Sequence, residues 1–80
     1  MVARIMKQGQ LDYQIHTDDH PPAHVHVFHG DEQATFRIED GEVNLYKNKG
    51  LSTRHIREAQ ETIEDNVDHF ISEFERLTTR

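Results

Sequence analysis

Hydrophobic and polar positions along this chain follow two periods. From Ile56 onward, Ile56, Ala59, Ile63, Val67, Phe70, Phe74 and Leu77 recur at intervals of 3, 4, 4, 3, 4 and 3, and Ile71 widens the stripe. That spacing is helical. Ser52 or Thr53 can cap the start just after Gly50, and neither Gly nor Pro interrupts the residues from there to the C-terminus. The pattern predicts one long amphipathic helix over residues 52–78, with Glu58, Glu61, Glu64, Asp65 and Asp68 on its acidic side.

Upstream the period is two. Gly30-Asp31 and Asp40-Gly41 each separate a pair of alternating runs, and both are two-residue hairpin signals. The first turn sets Val27 opposite Ala34 and Val25 opposite Phe36. The second sets Ile38 opposite Val43 and Phe36 opposite Leu45. Every apolar pair then lands on one face, as strand alternation requires. Leu11, Tyr13 and Ile15 alternate with Asp12, Gln14 and His16 in a further strand, and residues 2–6 can pair with it across a turn near Gly9. Pro21-Pro22 cannot form a central strand and makes an extended corner leading into the next one.

A sheet with one apolar face and a helix with one apolar stripe bury each other. The expected fold is a single α+β domain over residues 1–80. It has an antiparallel β-meander of three to five strands within residues 1–47, with the long C-terminal helix packed on one face.

Composition narrows the chemistry. Eighty residues without cysteine exclude both a disulfide framework and thiolate ligation of a metal. A chain this short buries only about 60–65% of its unfolded surface, so a partner would add stability. No apolar run approaches the ~20 residues of a membrane span, and no signal-peptide core precedes the first strand. A soluble cytoplasmic protein is expected. The net charge of −6 divides evenly, with eight acids and five bases in residues 1–51 and seven acids and four bases in residues 52–80. Tight binding to bulk nucleic acid is disfavoured, since phosphate affinity comes from clustered Lys and Arg.

The chain is histidine-rich, and four of its seven histidines fall within residues 18–30, DDHPPAHVHVFHG. The hairpin registers set His24 opposite Arg37 and Arg37 opposite Asn44, on the face away from the helix. They likewise set His26 opposite Thr35 and Thr35 opposite Tyr46, with Phe28 and Gln33 completing the face. Directly opposed residues have Cβ atoms about 4.5–5.5 Å apart, so imidazoles, a guanidinium and a phenol converge.

Asp19, His20, Pro22, His24, His26 and Val27 resemble the Asp-His-x-Pro-Pro-His-x-His-Val signature of a small bacterial family of domains of unknown function. Ala23 departs from it where the family has a second proline. The resemblance spans roughly Gly9 to Leu77. It implies two more short strands and a C-terminal helix after the signature. It also implies an intracellular protein encoded beside a small partner, in pairs of toxin–antitoxin type. It lends no catalytic assignment.

The histidine face admits three readings. In the first, it docks a protein, either the product of an adjacent gene or a second copy in a homodimer; Phe28, Tyr46 and Arg37 suit an interface. In the second, His24 and His26, at i and i+2 on one strand, chelate a divalent metal such as zinc or nickel together with His20. Asp18, Asp19 or His16 then supply a further ligand. In the third, His24 and His26 act as acid and base in ribonuclease-like cleavage, with Arg37 on the developing charge and Tyr46 orienting a phosphate. His55 and His69 are expected to face solvent on the helix, and His29 to cap the Gly30 turn.

Overall fold

The computed structural model describes residues 2–17 and 20–78. Five strands occur in chain order: β1 (Val2–Gln8), β2 (Leu11–His16), β3 (Ala23–His29), β4 (Glu32–Glu39) and β5 (Glu42–Lys49). Two helices follow among the described residues, α1 (Thr53–Asp65) and α2 (Val67–Thr78). The sheet is an antiparallel meander in the order β1-β2-β3-β4-β5. No helix among the described residues is long and apolar enough to cross a membrane.

Turn chemistry sets the central registers. Asp40 and Gly41 both adopt positive φ, 53° and 79°, as the tightest hairpin turn matching strand twist demands of its two central residues. The resulting ladders pair Val25 with Phe36, Val27 with Ala34, Ile38 with Val43 and Phe36 with Leu45, all as the alternation predicts. β1 pairs with β2 as well, and Ile5 is an extra residue in that ladder, between Arg4 and Met6. β5 runs to Lys49, two residues past the expected end of the strands.

The core lies between the sheet and the helices. Leu11, Tyr13 and Ile15 from β2, Val25 and Val27 from β3, and Ala34, Phe36 and Ile38 from β4 meet Ala59 and Ile63 of α1 and Phe70 and Phe74 of α2. α1 packs against β5, while α2 crosses β2 and β3. Leu45 shares the apolar register with Phe36 yet stays exposed.

The expected single helix is two helices. At Asn66 the backbone leaves helical geometry, with φ −127° and ψ 27°. The Asn66 N–H bonds back to the Ile63 carbonyl at 3.1 Å and its side-chain amide donates to the Thr62 carbonyl at 2.8 Å. Asparagine competes with the helix for its own carbonyls, which makes it a natural site for a break. The break also answers a problem of length. One straight helix over residues 53–78 would span about 39 Å at 1.5 Å per residue, whereas the whole fold extends 35 Å along its longest axis. Both halves keep the 3/4 spacing, so the apolar stripe passes through the kink. The Ser52 side chain caps α1 by accepting the His55 N–H at 3.2 Å. Asn48 holds the approach to that helix by bonding both the N–H and the carbonyl of Leu51, at 2.9 and 3.1 Å.

Candidate histidine-bearing sheet face

The face opposite the helices carries what the core excludes. Strand alternation delivers Gln14 and His16 from β2, His24, His26 and Phe28 from β3, and Gln33, Thr35 and Arg37 from β4, all half-buried. Arg37 faces His24 on one side and Asn44 on the other, and His26 faces Thr35, as the hairpin registers predict.

The imidazoles form a row. His16 stacks on His26 with ring centroids 3.7 Å apart and planes 9° from parallel. His24 continues the row, 6.5 Å from His26 with planes 20° apart. The Thr35 hydroxyl lies 3.3 Å from the His26 Nδ1. The His24 ring meets Tyr46 edge-on at 6.1 Å and reaches the core boundary 6.5 Å from Phe74. Arg37 lies over the Tyr46 ring, 4.9 Å from its centroid, and its guanidinium is 3.6 Å from the Glu39 carboxylate.

One expected pairing is corrected. Thr35 lies opposite Lys47, not Tyr46, because the β4–β5 ladder shifts between Thr35 and Phe36. Leu45 pairs with Phe36 and Lys47 with Thr35, which leaves Tyr46 as the extra residue of a β-bulge. A bulge turns the residues beyond it onto new faces. Here it adds Lys47 and Lys49 to the histidine face. Together with His16, His26, Gln33, Ala34 and Thr35 they line a pocket of about 210 Å³. Among the described residues lining it there is no carboxylate, and its ionisable groups are two amines and two imidazoles. The two helices carry seven carboxylates against three arginines. The two lysines left one legible trace in the sequence. Strict alternation from Val43 and Leu45 would have put Lys47 in the core, a conflict that a bulge resolves.

His20 is exposed at the corner before β3, where a cis bond joins Pro21 to Pro22. Asp18 and Asp19 lie outside the described residues. Among the described residues, His20, His24 and His26 do not form a group whose ligand atoms all lie within 4.8 Å of one another. His69 is exposed, as expected. His55 is not: it is half-buried, with its ring 4.4 Å from that of His29.

Comparison with family models matches residues 13–75 to a domain of unknown function, DUF4160. Comparison with curated proteins and with solved structures finds no significant match.

Proposed function

We propose that this chain, which belongs to the DUF4160 family of domains of unknown function, is a binding module whose histidine-bearing sheet face docks a second protein. The observation that carries this reading is the cluster of His24, Arg37 and Tyr46 beside the pocket of Lys47 and Lys49, on the side of the sheet away from both helices. Arginine and aromatic residues dominate the energetic centres of protein interfaces. Tyr46 is a large apolar side chain exposed on this face, at the bulge on an edge strand, whereas Leu45 shares the register of the core face. Amines and imidazoles around Tyr46 suit an acidic surface on the partner. In a toxin–antitoxin-like pair, that partner is the product of the adjacent gene.

The test is calorimetry of the chain against the product of the adjacent gene, with Tyr46→Ala, Arg37→Ala and Lys47→Glu. Each should weaken binding by about tenfold or more, the loss expected when a well-packed interface anchor is removed. Glu61→Ala, on the acidic helix side, should leave it unchanged. An interaction indifferent to the three sheet variants, or sensitive only to Glu61, would sink the reading.

The pocket also favours a second reading, in which its amines hold a phosphodiester while His24 and His26 exchange protons with it beside Arg37 and Tyr46. Incubating a labelled RNA oligonucleotide with metal-free protein distinguishes the two. Cleavage abolished by His26→Ala supports catalysis, and intact RNA leaves the docking face alone.

A further inference from the structure

At the other end of β3, three side chains from three segments converge. His29 closes β3, and Glu32 opens β4 directly opposite it across the Gly30-Asp31 turn. His55 stands in the first turn of α1, 23 residues further on. The His29 Nδ1 lies 3.2 Å from the Glu32 Oε1, and the three residues offer ligand atoms that are all within 4.8 Å of one another. We propose that His29, Glu32 and His55 bind a divalent transition-metal ion of the zinc class, and that the ion clips the β3–β4 turn to the start of α1.

The donor set and the geometry agree. Two imidazoles and one carboxylate are a set that zinc accepts with a fourth position left for water. Metal–ligand bonds of 2.0–2.2 Å in a tetrahedral site put adjacent ligand atoms about 3.3 Å apart. The His29–Glu32 edge already has this length, and the remaining edges close by side-chain rotation of less than about 2 Å.

Two independent features point the same way. The His55 Nδ1 is shielded from solvent and has no hydrogen-bond partner among the described residues. A shielded nitrogen without a partner carries a desolvation cost that direct coordination can offset. The stem of Glu32 is also held from below. It packs over Gly50, where an added Cβ would sit 3.3 Å from the Glu32 Cγ, and Gly50 has φ +106°. Gly50 thus lets the chain entering α1 pass close under the carboxylate. The positive end of α1 opposes a cation at this place, and the Glu32 charge compensates.

An ion here acts as a clip because it binds the folded arrangement and not the unfolded chain, where the three ligands are dispersed. The site is separate from the histidine row and makes no use of His24 or His26.

The experiment uses the full chain without a histidine tag, stripped with chelator. It is titrated with zinc by calorimetry, with cobalt(II) as a spectroscopic probe of coordination, and melted with and without zinc. The expected result is one ion per chain at about micromolar affinity or tighter, with a melting temperature raised by zinc. Glu32→Gln and His55→Gln should each weaken binding by about tenfold or more, while the double variant His24→Ala/His26→Ala keeps it. Melting of the metal-free variants shows that they still fold. Absence of binding in the wild type overturns the proposal. So does binding that survives Glu32→Gln and His55→Gln but is lost in the His24/His26 double variant, which would assign the ion to the histidine row.

Discussion

Arg37 lies over the ring of Tyr46, 4.9 Å from its centroid, although its cross-strand neighbour in the β4–β5 ladder is Asn44. Tyr46 is the extra residue of the bulge, two positions along β5 from Asn44. The bulge is what brings Lys47 onto the same face, beside the guanidinium–aromatic stack. Such a stack at an exposed site contributes about 0.5–1 kcal/mol, too little to hold the fold together. Tyr46→Ala should leave the urea midpoint nearly unchanged while reducing partner affinity. A large loss of stability would mean that the bulge depends on the tyrosine. Arg37→Lys keeps the charge but loses the planar stack, and should fall between wild type and Arg37→Ala.

Phe36 sits on β4, an interior strand of the sheet, fully buried, with Val25 on one side and Leu45 on the other. Phe36→Ala should cost about 3–5 kcal/mol. An 80-residue chain has a total stability of about 4–12 kcal/mol at the usual per-residue range. The variant should therefore unfold at a much lower urea concentration or fail to show a cooperative transition. A change below about 1 kcal/mol would contradict the placement of this residue in the core.

Tyr13 is the core's polar exception. Its hydroxyl is sealed inside, with the Thr62 hydroxyl beside it but no well-formed hydrogen bond. Burial pushes the phenol above its ordinary value of 10.0, the Thr62 hydroxyl opposes the shift, and Glu58 reinforces it. The sign follows from linkage. The folded state holds the proton more tightly than the unfolded chain, so this contribution is complete below pH 10.0 and is lost as pH rises through the raised folded value. Urea midpoints measured across that range should fall in the wild type and fall less in Tyr13→Phe. At neutral pH the same variant should match the wild type or gain up to about 1 kcal/mol, since it removes a poorly satisfied hydroxyl.

Asn66 tests whether the helix break is local or imposed. Asn66→Ala removes the bond to the Thr62 carbonyl, a loss of about 0.5–1.5 kcal/mol that the better helix propensity of alanine partly offsets. Net destabilisation should be small, and far-UV circular dichroism should show unchanged helix content. A rise in helicity would mean that the asparagine alone makes the kink.

Much of the fold was legible because strands and tight turns are local. Alternation assigns each side chain a face, and a two-residue loop fixes which residues oppose each other. From these alone, Val25 meets Phe36, Phe36 meets Leu45, and His24 lies beside Arg37. The apolar stripe from Ile56 to Leu77 was equally readable, because backbone hydrogen bonding dictates the period of 3.6 residues. These features arise from sterics and hydrogen bonds spanning a few positions.

The rest depended on how the elements fit together in space. The stacking of His16 on His26 requires the β2–β3 register, and six residues separate those strands in the sequence where a hairpin signal needs two. Tyr46 leaves the ladder, and Lys47 turns from the apolar to the polar face, where two extended strands accommodate one unmatched residue. The helix divides at Asn66 in a fold whose longest axis is shorter than one straight rod over residues 53–78. His55 comes to His29 and Glu32 only when α1 is set down against β5, which is a matter of long-range packing rather than local chain geometry.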